Sequence, residues 1–179
     1  MKKLTAFILL ALIMVSGFSS GAIVAAQKLN IKITADVFEL DGEKKQVVAS
    51  GNVLMIQDDL KVHGDMAKYD QDVKKIEVTG HVQAVKGDIA LTCNRITAFP
   101  QEERIFAEGG VKFSFAGIRG ESNTANIQLK NQKVVLTGNP KAWRGTDQIS
   151  GSTITIYLDK KKIVTEGQTQ VLLSVDRFK

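Results

Sequence analysis

The chain has 179 residues, 44 % of them apolar, with 2 Pro and a single Cys; 24 Lys and Arg stand against 19 Asp and Glu. That length allows one domain, two at most, with a sizeable core, and a formal charge of +5 is too mild to point to nucleic acid. One cysteine, Cys93, excludes an intramolecular disulfide and a thiolate metal cluster.

The chain opens like an export signal. Lys2 and Lys3 form a positive start, and Leu4 to Val15 is an uncharged, mainly apolar run. Ser16-Gly17 and Ser19-Ser20-Gly21 interrupt it, and Val24-Ala25-Ala26 offers small residues to a signal peptidase. The expected division is a cleaved signal over residues 1–26 and a mature domain over residues 27–179. A retained anchor is the competing reading, since no charge appears between Lys3 and Lys28. It would need about 20 unbroken apolar residues. No Cys follows the apolar run, so lipidation is not expected. Without Lys2 and Lys3, 22 basic residues face 19 acidic ones, or +3.

The mature segment repeats. Gly51, Gly80, Gly109, Gly138 and Gly167 are 29 residues apart, and Asp36, Asp65, Asn94, Asn123 and Ser152 keep the same step. So do the small residues Ala35, Gly64, Cys93, Ser122 and Gly151, and the β-branched residues Val47, Ile76, Ile105, Val134 and Ile163. Five copies without an insertion point to a repeat architecture. Each copy reads as strands. Val47, Ala49, Val53 and Met55 alternate at period 2, as do Ile76, Val78, Val82 and Ala84. Turn residues fall twice per copy, around Asp41-Gly42-Glu43-Lys44 and around Asp58-Asp59.

A turn at 42–45 pairs Leu40 with Val47, Phe38 with Ala49 and Asp36 with Gly51. A turn at 57–58 would pair Met55 with Leu60, Val53 with Val62 and Gly51 with Gly64. The glycine and Asx columns then run side by side across the sheet, where they relieve strain at a bulge or bend. The first arm changes its apolar phase there, from Ile31 and Ile33 to Phe38 and Leu40. The expected fold is all-β, an antiparallel meander creased along one line and folded over itself. A leucine-rich repeat lacks its Leu pattern here. A parallel β-helix shares the Gly and Asn columns and stays open as an alternative.

Repeats run from about Ile31 to Leu172, with no polar cap visible. The uncharged end Val171-Leu172-Leu173-Ser174-Val175 reads as a docking edge unless the termini fold back over it. Docking the last strand of one copy on the first of the next gives open chains.

Candidate chemistry is sparse. His63 and His81 sit in slots that other copies fill with Thr92, Glu121 or Asn52, so they read as surface or turn residues. Cys93 fills the small-residue column and has no basic partner. Asp58-Asp59 and Asp70/Asp72 are turn acids without a third ligand. Neither an enzyme, a metal nor a cofactor is expected. One charged column recurs: Gln46, Lys75, Arg104, Lys133 and Lys162, with Lys45, Lys74 and Lys161 beside three of them. It reads first as solvated hairpin turns, balanced by Asp41, Glu43, Asp72 and Glu103. Phosphates are the other ligand it would suit. Large residues Phe38, Leu40, Met55, Ile96, Phe113, Phe115, Ile127 and Ile156 are expected inside, alternating with Ala49, Ala67, Ala84, Ala107 and Ala125. They either interdigitate into a dry core or leave a groove for acyl chains, each buried methylene contributing roughly 0.8 kcal/mol.

Ile33-Thr34-Ala35-Asp36, Val47-Val48-Ala49-Ser50-Gly51-Asn52-Val53 and Val62-His63-Gly64-Asp65-Met66-Ala67 with Tyr69 resemble the OstA-like (LptA) family of periplasmic lipopolysaccharide-transport proteins. Later copies drift: Gly138-Asn139 is kept, whereas Asn94-Arg95 and Asn123-Thr124 replace the acidic residue. The resemblance covers about residues 30–170 and implies an open-seamed antiparallel β-jellyroll that does no chemistry. It implies binding of lipopolysaccharide, with lipid A acyl chains inside, and residence in the periplasm. It also implies head-to-tail joining with copies of itself, with a membrane-anchored relative at the inner membrane and with the amino-terminal domain of the outer-membrane translocon. The large interior residues above are then the expected lipid contacts. An adaptor or envelope scaffold with a filled core, a filament subunit, and the anchored relative itself remain as alternatives.

Overall fold

The computed structural model describes residues 32–174. The expected leader over residues 1–26 and its cleavage point lie outside the described residues, as do Ile31 and Val175. The described chain is almost entirely strand. β1 (Lys32–Thr34) and β2 (Val37–Asp41) are short. Six long strands follow: β3 (Gln46–Gln57), β4 (Leu60–Asp70), β5 (Lys75–Lys86), β6 (Ile89–Phe99), β7 (Arg104–Phe115) and β8 (Ile118–Gln128). Then come β9 (Lys133–Thr137), β10 (Lys141–Arg144), β11 (Asp147–Ser150), β12 (Thr153–Tyr157), β13 (Lys162–Glu166) and β14 (Gln170–Leu172). A 3-10 turn, Pro100–Glu102, lies between β6 and β7. All pairings are antiparallel, which sets aside the parallel β-helix.

The crease lies where the glycines predict it. Between Ser50 and Val53, β3 carries one residue more than β4 does between Met66 and Gly64. The same shift recurs at each of the next four pairings, with the extra residue always on β3, β5 or β7. Those strands meet it with two successive left-handed residues, Gly51-Asn52, Gly80-His81 and Gly109-Gly110. Glycine takes that conformation without strain. At Gly80, φ is +78° and a Cβ would collide with the Asp65 carboxylate of the neighbouring strand, so the Asx column is packed directly onto the glycine column. On β4 the inward phase passes from Gly64 to Ala67 while Asp65 and Met66 both face out. Beyond β8 the crease is a true break. Gly138-Asn139-Pro140 separates β9 from β10, and Pro140 has no N–H to extend the ladder.

The crease divides the sheet into two walls. Wall A runs β2, the first half of β3, and on through β9, β12 and β13. Wall B runs β1, the second half of β3, and on through β10, β11 and β14. Each wall ends in a lip of turns. Lip A carries the turns before β3, β5, β7, β9 and β13, which are stitched together by Gln71 N–H to Lys45 O (3.0 Å), Leu129 N–H to Glu103 O (2.9 Å) and Leu158 N–H to Gln132 O (2.8 Å). Lip B carries two-residue turns.

The register about the turn at 42–45 is the expected one, with Leu40 opposite Val47 and Phe38 opposite Ala49, and Asp36 N–H donating to Gly51 O at 2.9 Å. The register on wall B differs by two residues. Met55 faces Val62, Gln57 faces Leu60 and Val53 faces Gly64, because the turn sits on Asp58-Asp59, with Asp58 left-handed. The parity is unchanged, so the same side chains still point inward.

The core lies between the walls. Val53, Val82 and Val111 line it beside the crease, with Ala107, Ala125, Leu136, Ile154 and Ile156 from wall A and Phe113, Ile118 and Ala142 from wall B. Small residues opposite large ones let the walls interdigitate.

Candidate functional site

A concave apolar surface runs along the sheet in the space between the walls. Two slots remain in it. One, of about 50 Å³, is lined by Met55, Leu60, Ala84 and Leu91 of wall B and by Ile96, Pro100, Arg104 and Ile105 of wall A. The second, of about 30 Å³, lies between Ala84, Lys86, Ile89 and Phe113 and the opposing Ile127, Gln128, Gln132 and Leu158. Both are narrow. An acyl chain enters only if the walls separate.

The linings expose a stagger. The lip-B turn at 58–59 lies opposite the lip-A turn at 100–103, and the lip-B turn at 87–88 lies opposite the turn at 129–132. Each stretch of wall B therefore faces a stretch of wall A further along the chain. At the far end the Arg144 guanidinium on lip B donates to the Lys161 carbonyl on lip A at 3.1 Å.

Six of the expected interior residues are covered: Met55, Ile96, Phe113, Ile127 and Ile156 are buried, and Phe115 is half-buried. Phe38 and Leu40 are not, at 47 % and 79 % exposed. Both do face inward, opposite Ala49 and Val47. The stagger leaves the start of wall A with no wall B across from it, which corrects the expectation that they are enclosed. At the other end Val171, opposite Ile149 on β11, is left 47 % exposed on wall B. Each end of the groove thus shows uncovered apolar residues on one wall.

Of the remaining candidates, Cys93 is in the core between the walls and Arg104 lines the first slot, while His63, His81, Asp58 and Asp59 are exposed. His81 projects from the crease, its Nδ1 2.9 Å from the Asp65 carboxylate, as Asn52 donates to Asp36 at 2.9 Å one copy earlier. Cys93 is buried in the small-residue column, and burial pushes its thiol up to about 11. Asp41 accepts from Lys44, and this pair holds its carboxyl below the usual range. Among the described residues no three His, Cys, Asp or Glu converge, and no helix is long and apolar enough to cross a membrane. Three residues of the basic column on lip A pair with acids: Lys45 with Asp72 at 2.9 Å, Lys75 with Glu77 at 3.5 Å, and Arg104 with Glu102 at 2.7 Å while its guanidinium stacks on Phe99.

Of the inward column of lip B, sequence reasoning finds only Phe115. Gln57, Lys86, Phe115 and Arg144 are 29 residues apart and end the alternation that begins at Val53, Val82 and Val111. Gln57 and Lys86 are buried, at 3 % and 5 % exposed. The signal was available: extending Val82 and Ala84 by one more step of two gives Lys86.

Comparison with known proteins places this geometry in context. A family model described as "LptA/(LptD N-terminal domain) LPS transport protein" matches residues 32–68 and 61–162. No curated protein matches the chain. Among solved structures, LptH from Pseudomonas aeruginosa, described as the LptA homologous periplasmic component of a conserved lipopolysaccharide transport device, is similar at 15 % identity. The match covers 82 % of this chain and 96 % of that one, with a TM-score of 0.38.

Proposed function

Since the chain belongs to the LptA/LptD N-terminal domain family of lipopolysaccharide transport proteins, we propose that it is a periplasmic carrier that holds lipopolysaccharide between its walls and passes it from the inner towards the outer membrane. Residues 1–26 are then a cleaved signal, and the mature domain begins at Gln27. The observation that supports this reading is the apolar interior, which runs the length of the sheet and opens at both ends onto uncovered residues, Phe38 and Leu40 at one and Val171 at the other. A ligand with several acyl chains gains roughly 0.8 kcal/mol for each methylene it buries there, with no polar site needed. Lipid contacts fall on Met55, Ile96, Phe113, Phe115, Ile127 and Ile156 inside and on Phe38 and Leu40 at the mouth. Partners meet the two ends edge to edge: further copies, the anchored inner-membrane relative, and the amino-terminal domain of the outer-membrane translocon. The protein itself carries out no chemistry.

A second reading has one observation in its favour. Slots of about 50 and 30 Å³ make the interior nearly full, as in an adaptor that works by edge contacts alone. Photo-crosslinking residues placed at Phe115, inside a lip, and at Val85, on the outer face, decide between the two in envelope preparations. Lipopolysaccharide joined to position 115 and not to 85, and present in organic extracts of the purified protein, is the expected result. Equal labelling at both positions with no lipid in the extract would give the adaptor reading the lead.

A further inference from the structure

We propose that the outer face of wall B binds an acidic saccharide, in a trough beside lip B with Trp143 as its stacking platform. The trough lies on the opposite side of the wall from the groove, so the site goes beyond the carrier reading and stands without it.

Cross-strand register builds the trough. Ala90, Ser114, Arg119 and Trp143 follow one another across β6, β7, β8 and β10, on the face opposite to Leu91, Phe113 and Ala142. The small pair leaves a hollow of about 410 Å³, bounded by Arg119 and Trp143 in the same row and by Thr92, Lys112 and Glu121 in the next. A second hollow of about 290 Å³ continues from Lys112 and Glu121 past Lys141 to Asn123 and Asn139 at the crease. Together they cross the wall from lip to crease, in the size range of ligand sites, roughly 300–1,000 Å³.

Three observations point to a sugar that bears an acid. First, the indole is set for a ligand. Trp143 is the one Trp of the chain and is half-buried on this outer face. Its column holds Ile56, Val85, Ser114 and Leu172 in the other copies, so the strand does not need an aromatic ring there. Its Nε1–H donates to Gln148 Oε1 at 3.0 Å, and the Arg119 guanidinium lies 5.9 Å from the ring centroid. Held from both neighbouring strands, the ring is preorganised, and its electron-rich face attracts the C–H bonds of a sugar. Second, the charge is one-sided. Among the residues lining the two hollows, Lys112, Arg119 and Lys141 face a single carboxylate, Glu121. None of these three cations forms a salt bridge among the described residues, whereas on the outer face of wall A Glu77 pairs with both Lys75 and Arg95. An acidic ligand supplies the missing charge. Third, the remaining groups suit hydroxyls. Thr92 and Ser114 both donate and accept, Asn123 and Asn139 offer amides, and Glu121 accepts. A bare anion is repelled by Glu121, while a polyol donates to it. A flat anionic membrane would leave the hollow empty.

Two sources bring such a sugar here. One is the saccharide of an amphiphile held between the walls, folded back over the uncharged turns Ala116-Gly117 and Gly145-Thr146. The other is a saccharide free of lipid.

The single indole reports on its own site. Trp143 emission of the protein purified from cell envelopes is titrated with the acidic oligosaccharide released from lipopolysaccharide by mild acid. The same saccharide, dephosphorylated and carboxyl-reduced, and inorganic phosphate are the comparisons. Equilibrium dialysis repeats the series with Trp143→Leu, Lys112→Gln and, elsewhere on the same face, Lys61→Gln, each checked for a cooperative melt. Those replacements already stand in the same columns, at Leu172, Gln83 and Gln148. The acidic saccharide is expected to shift the emission and to bind about tenfold more tightly than its neutral form. Trp143→Leu and Lys112→Gln should each weaken it by about tenfold, and Lys61→Gln should not change it. If Trp143→Leu does not fold, Lys112→Gln decides. No binding by the wild type overturns the proposal. So do full competition by inorganic phosphate, equal binding of the neutral form, and unchanged affinity in the folded variants. Protein loaded with lipopolysaccharide separates the sources. Exclusion of the free saccharide supports the site with the attached sugar as its occupant. Continued binding, or no uptake of lipopolysaccharide, supports it with the lipid-free one.

Discussion

The Arg144 guanidinium reaches from lip B to the main-chain carbonyl of Lys161 on lip A, 3.1 Å away, and is a direct polar link between the two walls at the far end of the groove. The donor is a side chain and the acceptor is backbone, so the contact is insensitive to what residue 161 is and wholly dependent on residue 144.

Arg144→Ala should therefore loosen the lip without unfolding the sheet. Amide exchange in the turn at 158–161 is expected to quicken by about tenfold, while global stability falls by no more than about 1 kcal/mol, the usual net worth of an exposed hydrogen bond. Exchange measured residue by residue checks it. Protection unchanged in that turn would mean the lip is held by its stitching to Gln132 alone.

Gly80 and Gly87 both have positive φ, +78° and +57°, but only Gly80 abuts a neighbour, the Asp65 side chain. Gly87→Ala should cost about 1 kcal/mol, the strain of a left-handed alanine. Gly80→Ala adds a collision with Asp65 to that strain and should cost at least twice as much. Urea midpoints of the two variants give the comparison, and equal losses would show that the crease yields to accommodate a methyl group.

Burial raises the Cys93 thiol to about 11, so the thiolate is scarce at pH 8, and the thiol is also out of reach of solvent. Iodoacetamide should leave the native protein unmodified over hours and label it stoichiometrically in denaturant. Rapid native labelling would place Cys93 outside the small-residue column.

Asp70 accepts main-chain N–H groups from Val73 and Asp72 and an amide from Gln46, and the Val73 bond leads in holding its carboxyl below the ordinary value of 3.8. A depressed carboxyl stabilises the fold above its unfolded value, and that contribution disappears as pH falls through the lower, folded value. Asp70→Asn should thus lower stability at neutral pH and flatten the acid limb below about pH 4. Urea midpoints across the acid range are the readout, and parallel limbs for the two proteins would sink the assignment.

Depth in the groove should set the cost of truncation. Ile156→Ala removes a fully buried side chain and is expected to cost 2 to 5 kcal/mol, in the manner of other core truncations, roughly speaking. Leu40→Ala, at 79 % exposed, should cost less than about 0.5 kcal/mol.

Much of this was legible in the residues themselves. Period-2 alternation gave the inward faces of β3, β5 and β7, and the glycine and Asx columns gave the crease, because both signals are local. Phe38 and Leu40 show where local signals end. Alternation tells which face a side chain takes, but whether another wall lies opposite depends on the stagger, which is set by contacts between turns far apart in sequence. The lip-B register slipped by two residues for a smaller reason: Asp58-Asp59 and the preceding Gln57 look equally turn-like, and only the left-handed Asp58 settles the hinge. The inward phase of Lys86 is readable from Val82 and Ala84, against the general tendency of lysine to face water.

The stagger also gives the molecule a direction. It ends like a half-lap joint in timber, cut away on one side at the first strand and on the other side at the last. Unlike ends bring a bare A wall against a bare B wall, whereas like ends bring two identical cuts together. Any row built from such pieces inherits a single sense along its whole length, fixed by shape before any cargo enters it.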